Sequence, residues 1–364
     1  MSFTTVLVLV LVAALAAANG GNDVPKGVAT LAGAGVTKYR TAILWGTVTT
    51  FAGCICSLLL AEKMTKLFSK GIVTAEPTEA FAVAVLAGTV SWVALATVLR
   101  LPVSTTHALI GALLGAGMLF ASSSIAWSAI PTKLLIPLLV SVGVAYGISL
   151  LLALFFRNGN KSGAPGDTAI DSPDVADLPA PGSTTASSGT TAVVTPEASA
   201  VSSRPAAPQA PDRKLTALHW TTSGATGFAR GLNDTPKIVA IGAFALVPVG
   251  MTTWEVALLV AVAMAVGSLT GGMRVAQRLG EGVIRMNHKE GFLANLTTAT
   301  LVGLGAGYGL PMSTTHTSTG AIAGSAGADV SRLSGKTLRD FLIAWIVTPP
   351  FAAAVAAVVF LIAR

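Results

Sequence analysis

Ten apolar runs dominate this 364-residue chain: 4–31, 40–61, 79–99, 102–121 and 133–156, then 217–247, 253–273, 291–308, 310–328 and 340–362. About 20 apolar residues in a helix cross ~30 Å of hydrocarbon, so each block on its own holds several membrane-crossing lengths. With mean hydropathy +0.73 and only 11% charged residues, the chain is not a water-soluble enzyme. The expected class is an all-α integral membrane protein. Cys54 and Cys56 share one apolar run, which excludes a disulfide framework or a Cys-rich metal site. The net charge of +7 comes without an aromatic-interleaved basic stripe, so nucleic acid is not an expected partner. The run from Thr4 to Ala18 resembles a secretory signal but has no Lys or Arg before it, and it is read as a mature membrane segment.

The chain also repeats itself. Gly21-Asn22-Asp23-Val24-Pro25-Lys26 returns as Leu232-Asn233-Asp234-Thr235-Pro236-Lys237, an offset of 211 residues, and Leu101-Pro102-Val103-Ser104-Thr105-Thr106-His107 returns as Leu310-Pro311-Met312-Ser313-Thr314-Thr315-His316, an offset of 209. Order and spacing are both kept. Each half carries about five hydrophobic segments, and an odd number turns the second half over, giving two inverted-topology repeats. The expected organisation is a first membrane repeat over 1–157, a disordered cytoplasmic linker over 158–214 and a second, inverted repeat over 215–364. The Ser-Thr-Thr-His runs could also be re-entrant, and the long first run of each half could be split, so broken or re-entrant helices are expected at the midplane.

Lys and Arg collect in cytoplasmic loops. With the N-terminus outside, fifteen of the 23 Lys and Arg residues fall inside and five outside, and Lys26, Arg230 and Lys237 belong to the motifs. Both termini are therefore expected to be extracytoplasmic in a multi-pass protein of the cell inner membrane. The linker is rich in Pro, Gly, Ser and Thr and has too little apolar surface to offset its ordering entropy.

Asn-Asp-x-Pro sits inside an apolar run in each half, where Gly20, Gly21 and Gly231 loosen the helix and Pro25 and Pro236 remove a donor. A broken helix is expected at both places, lining a polar cavity because irregular backbone at membrane depth is tolerated only there or against protein. Asn oxygens, the Asp carboxylate and freed carbonyls suit a small cation, and ionisable groups at this depth tend to mark transport pathways. Pro-x-Ser-Thr-Thr-His has the chemistry of a helix N-terminus. Exposed N–H groups, hydroxyls and the positive dipole end can hold a tetrahedral oxyanion. His107 and His316 either donate a hydrogen bond or close the capping turn.

Together the paired Gly-x-Asn-Asp and Pro-x-Ser-Thr-Thr-His motifs resemble the inorganic phosphate transporter family of sodium- or proton-coupled carriers, over both membrane halves. The resemblance implies a secondary transporter that imports phosphate by alternating access and holds it near the midplane between the halves. It implies phosphate contacts at Ser104, Thr105, Thr106, Ser313, Thr314 and Thr315. Cation sites fall at Asn22, Asp23, Asn233 and Asp234, with Asp23 and Asp234 as the sodium ligands. No cofactor is expected beyond the co-transported Na+ or H+.

The chain departs from the family pattern where Pro25-Lys26 and Pro236-Lys237 replace Ala-Asn. Each Lys is three residues from its Asp, within pairing reach on a helix. Lys26 and Lys237 are taken as substrate-associated, either touching the anion or replacing a sodium ion, rather than snorkelling to the surface. Sulfate is the alternative substrate, because it too is a tetrahedral oxyanion and the fold serves sulfate carriers. A membrane-embedded phosphatase or transferase using Ser104 or Thr105 with His107 is disfavoured, since nothing is placed to orient the histidine; the chain is not expected to be an enzyme. An anion channel is the third alternative. Lipid is the surrounding partner. Glycine faces at Gly111, Gly115, Gly320 and Gly324 permit packing within the chain, the preferred reading, or in a homo-oligomer.

Overall fold

A computed structural model describes residues 2–157 and 212–364. Of the linker expected over 158–214, residues 158–211 lie outside the described residues. The first half is built from α1 (Phe3–Asp23), α2 (Pro25–Gly33), α3 (Tyr39–Leu60), α4 (Glu62–Lys70), α5 (Glu79–Val98), α6 (Thr105–Phe120) and α7 (Ile136–Arg157). The second comprises α8 (Arg213–Leu246), α9 (Thr253–Gly282), α10 (His288–Tyr308), α11 (Thr314–Ser325) and α12 (Gly335–Ala363). Among the described residues the fold is all-helical, with one isolated bridge between Val73 and Ile125.

Among the described residues six spans are long and apolar enough to cross a membrane: 3–33, 39–60, 79–98, 130–156, 253–282 and 335–363. Their outward faces carry large apolar side chains such as Leu139, Leu151, Phe155, Ile346 and Ile362, which would face lipid rather than water. The two Ser-Thr-Thr-His segments correct the simple count of one crossing per run. Helix α6 has 16 residues and α11 has 12, about 24 and 18 Å at 1.5 Å per residue, so neither crosses ~30 Å alone.

Of the two expected helix breaks, the first is slight and the second needs correction. In the first half the interruption is a single residue, Val24, whose φ of -55° and ψ of -41° are helical; its N–H still bonds Gly20 O at 3.2 Å. In the second half Pro236 lies inside the uninterrupted 34-residue α8. An internal proline costs ~3 kcal/mol through one lost hydrogen bond and a ring clash, but 22 residues of α8, including every position from Ala229 to Gly242, are buried against neighbours. Tertiary packing therefore carries the helix through the proline.

The halves interlock through glycines. A Cβ on Gly20 of α1 would lie 1.9 Å from Met264 O of α9, and one on Gly267 of α9 would lie 1.9 Å from Ala17 O of α1. The corresponding contact in the other direction joins α8 to α3: a Cβ on Gly231 would meet Thr50 O at 2.4 Å, and one on Gly53 would meet Phe228 O at 2.1 Å. Gly111 and Gly115 of α6 abut the backbone of α12 at Pro349 and Ala353, while Gly320 and Gly324 of α11 abut that of α7 at Val142 and Tyr146. These small residues thus serve packing within the chain, each time against a helix of the other half.

Candidate functional site

Ser104 and Ser313 cap α6 and α11. Each Oγ accepts the backbone N–H three residues on, His107 N at 3.3 Å and His316 N at 3.2 Å. Each histidine thus closes its turn through the backbone, leaving the ring free of that task. The rings meet edge to face with centroids 4.6 Å apart. Their Nδ1 atoms have no hydrogen-bond partner among the described residues. Trp345 packs on His316 at 4.0 Å and donates from Nε1 to Pro102 O at 3.1 Å, tying α12 to the segment ahead of α6.

The Asn-Asp motifs hold those segments in place. Asn22 donates to Leu101 O and accepts from Val103 N, both at 3.0 Å. Asn233 donates to Met312 O at 2.9 Å and accepts from Met312 N at 3.2 Å. Each amide therefore satisfies non-helical backbone just before a Ser-Thr-Thr-His helix, a structural task alongside the cation role expected of it.

The two lysines make matching sets of contacts. Lys26 Nζ donates to Asp23 Oδ1, to Val103 O at 2.7 Å and to Thr315 Oγ1 at 2.6 Å. Lys237 Nζ donates to Thr106 Oγ1 at 2.7 Å, and to Asp234 Oδ1 and Met312 O, both at 3.3 Å. Each ammonium thus sits among one carboxylate, one carbonyl and one hydroxyl, and the hydroxyl always comes from the other half. Neither lysine snorkels, being 1% and 2% exposed.

All the residues expected at the site are buried: Ser104, Thr105, Thr106, Ser313, Thr314 and Thr315 with Lys26, Lys237, Asn22, Asp23, Asn233 and Asp234. Hydrogen bonds join members of both halves into one polar cluster. Thr105 Oγ1 donates to Asp23 Oδ2 at 3.2 Å, and Thr315 Oγ1 donates to Val103 O at 2.6 Å. Hydroxyls, ammoniums and carboxylates buried together can hold a charged, oxygen-rich solute and balance its charge.

Two members of the cluster are given no binding role by the sequence. Asn19 Nδ2 donates to Asp23 Oδ2 at 2.7 Å, Thr105 Oγ1 at 3.0 Å and Asp234 Oδ2 at 3.4 Å, bridging the two carboxylates. Arg230, also fully buried, donates from Nη1 to Asn19 Oδ1 at 3.0 Å and pairs with Asp234 Oδ2 at 3.6 Å. Asn19 and Arg230 occupy the same place in the repeat, three residues before Asn22 and Asn233. The detectable signal was an arginine inside an apolar run, a costly placement that calls for a partner.

Comparison with known proteins agrees with this architecture. The model of the phosphate transporter family matches residues 19–356. A probable low-affinity inorganic phosphate transporter of Rhizobium meliloti is 28% identical over 93% of this chain and 90% of its own length. A putative phosphate permease of Pyrococcus abyssi is 26% identical over 97% and 96%. Among solved structures, one described as the sodium-dependent phosphate transporter superposes with a TM-score of 0.76 at 19% identity, covering 99% of both chains; at that identity it speaks for the fold. These relatives are transporters and permeases rather than enzymes, which removes the phosphatase reading of Ser104 and His107. With the family model spanning both membrane halves and all four motifs, the chain belongs to the phosphate transporter family.

Proposed function

We propose that this protein is a secondary transporter that imports inorganic phosphate by alternating access, driven by a co-transported cation, a proton or sodium. The observation that carries this reading is the pair of matching ammonium sites, one at each Ser-Thr-Thr helix start and each completed by a threonine of the opposite half. In this reading the two halves are inverted repeats of one membrane unit, and phosphate sits near the midplane between their tips. Ser104, Thr105, Thr106, Ser313, Thr314 and Thr315 are its polar surround, and Lys26 and Lys237 its positive charge. The Asp23 and Asp234 carboxylates manage the counter-charge, with Asn22 and Asn233 beside them. All are buried, which supports a site that is reached only when the packed halves move against one another. The excess of Lys and Arg in the loops assigned to the inside supports extracytoplasmic termini and a cytoplasmic linker.

Phosphate is favoured over sulfate because only phosphate can offer a proton to an ionised carboxylate, and because the named relatives are phosphate carriers. The test is labelled phosphate uptake by proteoliposomes holding the purified full chain, with unlabelled phosphate or sulfate as competitor. Saturable accumulation competed by phosphate supports the proposal. Stronger competition by sulfate reassigns the substrate, and non-saturating flux replaces the carrier with a channel.

A further inference from the structure

The polar cluster holds five buried ionisable side chains that are formally charged at neutral pH: Asp23 and Asp234 against Lys26, Lys237 and Arg230. Three positive charges against two negative leave a formal charge of +1, counting the neighbouring His107 and His316 imidazoles as neutral. The surplus is asymmetric, since Arg230 stands where the repeat has Asn19.

The lysines also fill the positions a small cation would use. A carboxylate oxygen, a backbone carbonyl and a hydroxyl form a hard oxygen set of the kind that binds a monovalent metal ion. In each half the ammonium, with its three donors, occupies that set. A sodium ion entering beside Asp23 or Asp234 would have to expel a covalently tethered charge from a site with no exposed exit, or share one carboxylate with a second cation.

We propose that Lys26 and Lys237 are built-in counter-cations, so that this carrier moves phosphate without sodium and takes it as the monoanion, which brings the filled site to zero charge. The inference rests on the phosphate reading above and narrows it. The coupling cation is the proton, carried in part on the substrate itself, and Arg230 is the residue that sets the charge state accepted. Asn19 is a positioning residue: it holds the guanidinium through its Oδ1 and the two carboxylates through its Nδ2.

The deciding experiment is phosphate self-exchange by the full chain in proteoliposomes, with equal phosphate on both sides, in sodium and then in choline, across pH 5.5 to 8.5. Exchange needs no driving gradient, so it separates carrying phosphate from being coupled to an ion. The expected result is the same rate in both salts, with half-saturation constant across pH when expressed as monoanion concentration. Exchange lost in choline overturns the inference and leaves the phosphate reading standing. No exchange in any salt removes both. In a Lys26→Gln, Lys237→Gln double variant the carboxylates regain a need for a soluble cation, and sodium should then stimulate exchange on the order of tenfold. A double variant that is monodisperse and still indifferent to sodium also overturns the role given to the lysines. If the double variant does not fold, the wild-type salt replacement decides alone.

Discussion

Replacing Arg230 by Met removes one charge from the buried cluster while keeping much of its length. On the proposed charge count, the unloaded wild-type site carries +1 and the site filled with a monoanion carries zero. In Arg230→Met two lysines face two aspartates, so the unloaded site is neutral and the loaded one carries −1. One elementary charge crossing 100 mV changes the free energy by about 2.3 kcal/mol, which biases a reorientation by up to roughly fiftyfold. The voltage-sensitive step should therefore move from the return of the empty carrier to the crossing of the full one. The assay uses proteoliposomes clamped at 0 and at −100 mV by a potassium gradient with valinomycin, with self-exchange and net uptake followed in parallel. Wild-type exchange should ignore voltage while net uptake slows at −100 mV; Arg230→Met exchange should itself become voltage-sensitive. The substitution leaves Asn19 Oδ1 without its 3.0 Å donor, at a cost of about 1–3 kcal/mol, whereas Asp234 keeps Lys237 and Asn19 as partners, so a folded variant is expected. Voltage-sensitive exchange in the wild type, or voltage-flat exchange in a phosphate-binding variant, would refute the charge count.

Three further outcomes can be checked. Gly20→Ala and Gly267→Ala each drive a methyl group to 1.9 Å from a carbonyl oxygen of the facing helix, so each should destabilise the protein by about 1–3 kcal/mol; an unchanged melting temperature in detergent would contradict the α1 to α9 contact. A cysteine introduced as Ser2→Cys should react with a membrane-impermeant maleimide added outside intact cells, and labelling only after permeabilisation would reverse the proposed orientation. On α4, Lys66 hydrogen-bonds Glu62 and, through its charge, holds the Glu62 carboxyl below its ordinary range. A depressed carboxylate stabilises above its unfolded pKa and loses that contribution as the pH falls through the folded one; this pair is exposed to solvent, so Lys66→Ala should leave the melting temperature unchanged between pH 4 and pH 8.

Hydropathy and self-comparison made the membrane class and the doubling of both motifs legible, because each depends on composition or on local spacing. The helix through Pro236 was not legible, since a proline signals its local cost while the burial that outweighs it along α8 is set by helices distant in sequence. Nor was the partnership of Asn19 and Arg230. They are unlike residues at equivalent places in the repeat, so a search for identity passes over them, and only folding brings Nη1 to 3.0 Å from Oδ1. The double duty of Asn22 and Asn233 was hidden for a related reason: their amides are spent on backbone about 80 positions away.

The exchange of threonines between the two lysine sites has an architectural consequence. Thr315 completes the surroundings of Lys26, and Thr106 completes those of Lys237, so neither half owns a whole site. A half produced alone would lack one hydroxyl partner and regain it only by docking a second copy of itself in the inverted orientation. Such reciprocity binds the fates of the halves: a substitution at Thr106 is felt at the opposite lysine, and the two sites must drift together or fail together.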